Sequence, residues 1–545
     1  MVGCAYVVIF QGIAPAPGNL LTESMKNFAL FLLFFLPLIA RADKKPNILM
    51  LFADDLGRYA SAYSSKDQPS VNDVISTPTF DQVAREGVLA TNAFVSAPSC
   101  SPCRAALISG RHFFTNGSCS QLHHRWHGPE ASDPWAGISG YAEILQKNGY
   151  HIGLTHKDHV KGKKFGPQFN KAGRKVNTFS QYVSKGGEIL KRKDDLYEEC
   201  RANFRSFLEK RGKGQPFMYH FHPTNPHRSW TRGSGKNLWG LDPGKLKGKM
   251  PPFLPDVPVV REDLADYLGE AMAFDECCRI LLEELKATGE YDNTLIVISG
   301  DHGAPGFPRG KTNCYDFGAR VLFAARWPGH IQPAQKLDKP ISLIDLAPTF
   351  LAAAGIEKAD TMHGENLLPA LGSGDHSGLR SWALIGREVH VESARDRQLP
   401  FSMRSIRTAD HLYIINFTSD RTPMGDLLAL KKGPLSFEDL AGKTRLTYAD
   451  VDAGPTKAWM ILNRDKPEFK FHWDLGFGSR PAEELYELKS DPHQIKNLAA
   501  DSKYGAVRAR LRAQLMAELK EHNDPRLNGN QFDYPPYCKV GLDKK

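Results

Sequence analysis

The sequence predicts an α/β sandwich, a large mostly parallel sheet flanked by helices, followed by a smaller α+β unit with a short antiparallel sheet. Three observations carry that reading. Apolar strands and amphipathic helices alternate through the first two thirds of the chain. Four of those strands run straight into Asp or His/Lys clusters, which is where ligands bind in open α/β sheets. After about Gly374 the pattern changes to paired alternating strands and a final helix.

Asn47 to Ala53 is a nearly continuous apolar run, as a parallel strand buried on both faces requires, and it ends in Asp54-Asp55. Thr79 to Glu86 reads as a helix and Val88 to Val95 as a second strand. Next comes Ser99-Cys100-Ser101-Pro102-Cys103-Arg104, a helix start with Ser101 as N-cap and Pro102 in the first turn, closed by Gly110. Cys100 then lies just before a helix N-terminus, where free N–H groups favour an anion, and Arg104 adds charge one turn in. Tyr141 to Asn148 is helical, and His151 to Thr155 is a strand emptying into Lys157-Asp158-His159. Leu196 to Arg211 reads as a helix, and Gln215 to Phe221 as a strand followed by Asn225-Pro226-His227-Arg228. Ser229 to Pro258, rich in Gly, Lys and Pro, reads as a long surface excursion near the site. Arg261 to Thr288 is a long helix, and Thr294 to Ser299 a strand entering Gly300-Asp301-His302-Gly303. Beyond Gly374, Ser402 to Phe417 reads as a strand pair and Tyr504 to His522 as a helix.

The chain has 545 residues, 41% of them apolar and 24% charged, which suits a soluble enzyme, and the length predicts two domains. A net charge of +9 suits an anionic ligand, and the absence of any zinc-finger or DNA-reading helix pattern excludes nucleic acid as the expected partner. Lysines and arginines cluster after the third strand (Lys157, Lys161, Lys163, Lys164, Lys171, Arg174, Lys175) and in the excursion (Lys236, Lys245, Lys247, Lys249). Met25-Lys26, the apolar run Phe28 to Ala40 and Ala40-Arg41-Ala42 read as an export signal with its start at Met25, so residues 1–42 are expected to be removed. The run is too short for a stable membrane anchor. Export to periplasm, medium or lysosome is the expectation. Nine cysteines show no disulfide framework, and Cys277-Cys278 read as buried thiols. Asn116 and Asn416 stand in glycosylation sequons.

Asp54, Asp55, Asp301 and His302 are metal-ligand candidates, because carboxylates converging beside an anion site need a cation. A Cys100–Cys103 redox pair, helix capping by Asp54-Asp55 and a turn role for Asp301 are the competing structural readings.

Cys100-Ser101-Pro102-Cys103-Arg104, followed by Leu107-Ile108-Ser109-Gly110-Arg111, resembles the activation motif of the type I sulfatases. Asp54-Asp55, Lys157 with His159, His227, Asp301-His302 and Lys311 occur in the order that family uses, and Glu484 to Leu498 resembles its C-terminal domain. The resemblance spans about Lys45 to Pro525 and implies an alkaline-phosphatase-like sandwich over residues 43–375 with a C-terminal subdomain over 376–545. It implies that Cys100 is converted to formylglycine (3-oxoalanine) by a formylglycine-generating enzyme, and that the hydrated aldehyde is the nucleophile. It further implies Ca²⁺, with Mg²⁺ an alternative, held by Asp54, Asp55, modified Cys100, Asp301 and His302. Arg104, Lys157 and Lys311 would stabilise the sulfuryl oxygens, His159 would hold the hydrate, and His227 would be the general acid. Lys157, His227, Arg228 and Lys311 would contact substrate. Most members carry Asn where His302 stands, which leaves the identity of the ion open.

Lys157-Asp158-His159-Val160, Asn225-Pro226-His227-Arg228, Leu254 to Pro258, Arg261 to Ala265, Lys311-Thr312-Asn313 and Met403-Arg404-Ser405 look closer to the sulfamidase branch of the family. That implies a sulfated carbohydrate substrate, with heparan-type glucosamine N-sulfate favoured over an O-sulfate. Rival readings are a phosphate or phosphonate ester hydrolase of the same superfamily and a non-enzymatic glycan-binding protein.

Overall fold

Strand β1 (Asn47–Ala53) is buried along its whole length. Its alternate residues enter two separate cores: Ile48, Met50 and Phe52 on one face of the sheet, Leu49, Leu51 and Ala53 on the other. Both faces of the sheet are therefore covered, the condition under which a parallel strand reads as an unbroken apolar run. The computed structural model describes residues 44–117, 135, 137–160, 164–430 and 433–529. The expected export signal, Lys161, Lys163, Cys119 and Cys538 lie outside the described residues.

The main sheet has seven strands. Besides β1 they are β2 (Val88–Ala90), β3 (His151–His156), β4 (Phe217–His222), β5 (Thr294–Gly300), β6 (Phe323–Arg326) and β7 (Gln335–Leu337). Their spatial order is β3-β4-β1-β5-β6-β2-β7. The neighbours β3, β4, β1 and β5 are all parallel. Only β6 runs antiparallel to its neighbours β5 and β2. The four strands that end in polar clusters are thus adjacent and point the same way, so their carboxyl ends meet at one edge.

Helix α1 (Pro78–Glu86), α2 (Cys100–Ser109), α3 (Ile189–Glu209) and the 30-residue α4 (Pro258–Ala287) pack on this sheet. The expected strand Val88 to Val95 is divided. Val88–Ala90 joins the main sheet, while Ala93–Phe94 joins a separate three-stranded ribbon. The excursion after Arg228 is less superficial than its composition suggests. It forms a short helix, Ser234–Trp239, and buries Leu238, Leu246, Phe253 and Leu254 in the same core as α4. Gly235 lies against α4 so closely that a Cβ there would stand 2.2 Å from the Ala265 carbonyl oxygen.

The C-terminal sheet is a four-stranded antiparallel meander of β8 (Trp382–Arg387), β9 (Met403–Thr408), β10 (His411–Asn416) and β11 (Glu483–Glu487). Helix α5 (Gly505–Glu521) covers it through Leu511, Leu515 and Leu519. Both sequon asparagines are buried, so neither side chain is presented to solvent as a glycan acceptor. Asn116 has no exposure, and the Asn416 amide donates to the Pro481 carbonyl and to Glu484.

Candidate active site

Helix α2 places the centre of the site. Ser99, rather than Ser101, is its N-cap, and Cys100 is the first helical residue. Ser99 makes no capping bond. Its hydroxyl instead pairs with His390 Nδ1 at 2.9 Å. The Ser101 hydroxyl donates to the His159 carbonyl at 2.9 Å, which ties the end of β3 to the same helix turn. Gly110 closes the helix in the left-handed conformation, φ 65°, as a C-terminal glycine should.

The strand ends deliver the rest. Asp54 and Asp55 follow β1 and are wholly buried. Asp55 sits at φ 67°, a conformation costly for a residue with a Cβ, and three bonds hold its loop there. Its N–H donates to Asp301 Oδ1 at 2.8 Å, and the Tyr267 hydroxyl donates to its carbonyl while accepting the Gly57 N–H. The backbone beyond β5 crosses another segment closely. A Cβ on Gly303 would lie 1.9 Å from the Phe317 carbonyl oxygen.

Around Cys100 the side chains interlock. Its Sγ lies 3.3 Å from His302 Nε2 and 3.6 Å from Asp55 Oδ1. Arg104 Nε donates to Asp301 Oδ2 at 2.9 Å, and its terminal nitrogens reach Asp54 Oδ1 at 3.3 Å and His222 Nδ1 at 3.2 Å. Lys157 Nζ lies on both oxygens of Asp54, at 2.7 and 2.5 Å. Lys311 Nζ bridges Asp55 Oδ2 at 3.0 Å and Asp452 Oδ2 at 3.3 Å. His227 Nε2 stands 3.9 Å from Asp55 Oδ2, with a third of its side chain exposed at the mouth.

Burial alone would raise every one of these carboxyls, so their charge state depends on their partners. Burial opposes ionisation of Asp54 more than any single neighbour favours it, but Lys157, His227 and Arg104 together hold the carboxyl well below its ordinary range. Asp55 is likewise held low against burial by Lys311, His227 and His302. For Asp301 burial wins over His302 and Arg104, and its carboxyl is pushed up. His302 resists burial because Asp301 and Asp55 flank it, so its imidazole is held protonated. Burial also pushes the Cys100 thiol up, against Lys157 and Lys311. A cysteine that acts as a thiolate needs the opposite shift, so this residue is poorly suited to direct thiolate attack.

The donor set fits a hard divalent cation. Ligand atoms of Asp54, Asp55, Cys100 and His227 all lie within 4.8 Å of one another, as do those of Cys100, Asp301 and His302. Oxygen ligands about 2.4 Å from a calcium ion stand about 3.4 Å apart when adjacent and about 4.8 Å when opposite. A cation at this face and the His302 proton are alternatives, since a ligating imidazole must be neutral.

Three residues at the site were not singled out from the sequence. Asp452 comes from far along the chain, and against burial Lys311 and His227 draw its carboxyl down to about 2. His222, the last residue of β4, is held neutral by burial and by Arg104. His390 backs the N-cap. The apolar run through β4 carried a hint of His222, since a histidine in a doubly buried strand needs a polar partner.

Arg228 is placed differently from the expectation of substrate contact. Its terminal nitrogens fork onto Asp263 at 2.8 and 2.7 Å, and its Nε donates to the Pro305 carbonyl. Asp263 also accepts from the Thr456 N–H and hydroxyl. Every guanidinium nitrogen is thus committed to protein, and Arg228 joins the loop after β4 to α4 and to the C-terminal region.

Comparison with known proteins gives this constellation its family. The sulfatase family profile matches residues 46–356, more than half of the chain. The chain belongs to the sulfatase family. A second profile, described as N-sulphoglucosamine sulphohydrolase, C-terminal, matches residues 307–452. The human protein named N-sulphoglucosamine sulphohydrolase is 28% identical over 510 residues, spanning 88% of this chain and 91% of its own. An ulvan-active sulfatase of Formosa agariphila is 26% identical over 488 residues, or 88% of this chain and 81% of its own. Among solved structures, one in complex with its substrate D-glucosamine-2-N,6-O-disulfate superposes with a TM-score of 0.59 at 19% identity, covering 90% of this chain and all of that one. The phosphonate monoester hydrolase of Agrobacterium radiobacter superposes with a TM-score of 0.57 at 18% identity, covering 88% and 96%. The alkaline-phosphatase-like sulfatase fold and a sulfuric ester or sulfamate hydrolase activity follow. Among the described residues, no helix is long and apolar enough to cross a membrane.

Proposed function

We propose that this sulfatase removes the sulfo group from a sulfated sugar of the glucosamine type, with the N-sulfo group favoured, after Cys100 has been oxidised to formylglycine. The observation that carries the chemistry is the ring of Arg104, Lys157 and Lys311 around a buried Cys100 at a helix N-terminus. The preference for N-sulfoglucosamine is supported by the C-terminal profile match and by the human relative.

When present, a calcium or magnesium ion held by Asp54, Asp55, Asp301, His302 and residue 100 supplies Lewis-acid polarisation of the sulfo oxygens. Residue 100 as formylglycine supplies a hydrated aldehyde in place of a thiol that burial keeps protonated. Lys157, held on Asp54, and Lys311, held between Asp55 and Asp452, are primary amines, each able to turn a proton toward a substrate oxygen. Arg104 is committed to Asp54, Asp301 and His222 and acts by fixing the two carboxylates. His227 is exposed enough to meet a leaving group and close enough to Asp55 to be oriented by it, which suits a proton donor to the departing amine or alcohol. His159, whose carbonyl is held by the hydroxyl of Ser101, the residue after 100 in the chain, is assigned to hold the hydrate. Residues 43–375 form the catalytic domain in this reading and 376–545 a subdomain that contributes Asp452. A formylglycine-generating enzyme acts during maturation, and the protein is exported.

The test is sulfate release from N-sulfoglucosamine and from 6-O-sulfated N-acetylglucosamine, beside a matched phosphate ester. The protein used is one whose residue 100 is shown by mass spectrometry to be formylglycine. Release from the sulfamate is expected. Release from the O-sulfate alone would discard the N-sulfo assignment, and faster release of phosphate would discard the sulfated substrate. An unmodified thiol in fully active protein would sink the formylglycine assignment.

A further inference from the structure

A cavity of about 1000 Å³ opens along the same carboxyl edge of the sheet, beyond the catalytic cluster. Strand β2 runs in the direction of β1, because β6 is antiparallel to both β2 and β5. Thr91 and Asn92, just past the end of β2, line the cavity together with the loop after β1, the segment around Asp316 to Arg320, and residues near Lys489. None of Asp54, Asp55, Cys100, Lys157, Asp301, His302 or Lys311 lines it.

Its charge is unbalanced. Six lysine and arginine side chains face three carboxylates across the cavity. Lys249 and Lys336 are already paired, with Asp73 and Asp338 at 3.3 Å each. Asp316 serves two guanidinium groups at once. Arg407 reaches it through Nε and a terminal nitrogen, both at 3.0 Å, and Arg320 lies at 3.3 Å. Arg58, like Lys489, has no carboxylate within ion-pair distance among the described residues. Its guanidinium lies over the Tyr63 ring, 4.7 Å from the centroid. Burial, with Arg58 next in weight, pushes Arg320 down to about 9, the shift expected where cations are crowded without enough anions. The lining also holds the partly exposed ring of Phe317, backed edge-to-face by the buried Phe253 with centroids 5.0 Å apart, and an aromatic ring is a surface on which a sugar can stack. The volume is that of a ligand pocket of drug or disaccharide size.

We propose that this cavity is a second anion site, in which Arg58 and Arg320 hold a sulfo or carboxylate group of an acidic saccharide away from the reacting cluster. The saccharide part rests on the function proposed above, whereas the oxyanion part rests on the cavity alone. The same chemistry is presented by a distant unit of a long substrate chain, by a separate acidic saccharide and by free sulfate.

Calorimetric titration of the full-length protein separates these sources, with a trisulfated heparin disaccharide and inorganic sulfate as the probes. Lys157→Ala is titrated in parallel to weaken binding at the catalytic cluster. The expected result is a disaccharide site that persists in Lys157→Ala and whose Kd rises about tenfold or more in Arg58→Gln, as loss of a charge-assisted partner implies. Arg58 makes no hydrogen bond or ion pair that the fold depends on, and Arg58→Lys should restore much of the affinity. Its binding should also weaken as salt rises. Equal affinity in the wild type and Arg58→Gln overturns the proposal, as does a single site lost in Lys157→Ala. If inorganic sulfate binds as tightly as the disaccharide, the saccharide part falls and the oxyanion part stands. Because binding is read directly, failure to release sulfate from any sugar would overturn the proposed function and leave this result intact.

Discussion

Replacing Arg104 tests whether buried cations hold the catalytic carboxylates in place. Its side chain and those of Asp54 and Asp301 are wholly removed from solvent. Deleting one partner of a buried ion pair costs about 3–5 kcal/mol, because the remaining charge has neither water nor a counter-ion. Arg104 serves two carboxylates and a histidine through three different nitrogens, so Arg104→Met belongs at the upper end of that range. A lysine carries one ammonium and cannot span all three partners, so Arg104→Lys should fall between methionine and the wild type. Unfolding entropy of about 2.1 cal/mol/K per residue over about 500 residues makes about 1 kcal/mol equivalent to 1 °C. The expected fall in the calorimetric midpoint at pH 7 is therefore about 4–5 °C for Arg104→Met. Adding Asp54→Asn should return part of the loss, with a coupling of about 1–3 kcal/mol. Turnover should fall about 10²-fold or more, as when a preorganised charge is lost from a reacting centre. A methionine variant within 1 °C of the wild type, or one whose loss simply adds to that of Asp54→Asn, would refute the reasoning.

Other predictions concern the metal, the histidines and Arg228. Treatment with EDTA should abolish turnover and lower the midpoint, and Ca²⁺ or Mg²⁺ should restore both. Because His302 is held protonated by Asp301 and Asp55, ion binding should release a proton and strengthen as pH rises, which titrations in two buffers of different ionisation heat will read. His112, His363 and His522 pack within 5.2 Å of one another, ring centre to ring centre, and burial pushes all three below 6.5. The unfolded chain therefore binds more protons there, so stability is lost as pH falls from about 6.5 toward the folded value of about 3 for His363. At pH 5 that is about 2 kcal/mol for His363, and His363→Phe should flatten the dependence of the midpoint on pH by that amount. Arg228→Met should lower stability by about 3–5 kcal/mol through the orphaned Asp263. If KM rises while the midpoint stays put, Arg228 binds substrate after all.

Much of the framework was legible because it is local. The run Asn47–Ala53 appears as a strand with the expected limits, since only a strand covered on both faces needs seven apolar residues in succession. The motif at Cys100 marked a helix N-terminus, although the register slipped. Ser101 looked like the N-cap from its type, yet Ser99 takes that place because its backbone is extended and its hydroxyl is drawn to His390. The division of Val88 to Val95 was hidden for a related reason. Periodicity shows that a stretch is apolar but not which sheet receives each half.

By itself, then, the sequence determined the residue types at the strand ends and their order, because parallel strands and helix starts write themselves in short-range patterns. Only the tertiary structure decided which of those charges meet. Arg228 follows the same strand as His227 yet turns to Asp263, and Asp452 arrives from the far end of the chain to share Lys311 with Asp55. Pairings of that kind are settled by burial. Each charge removed from water must find a partner within a few ångströms, and which partner is near depends on how distant segments pack.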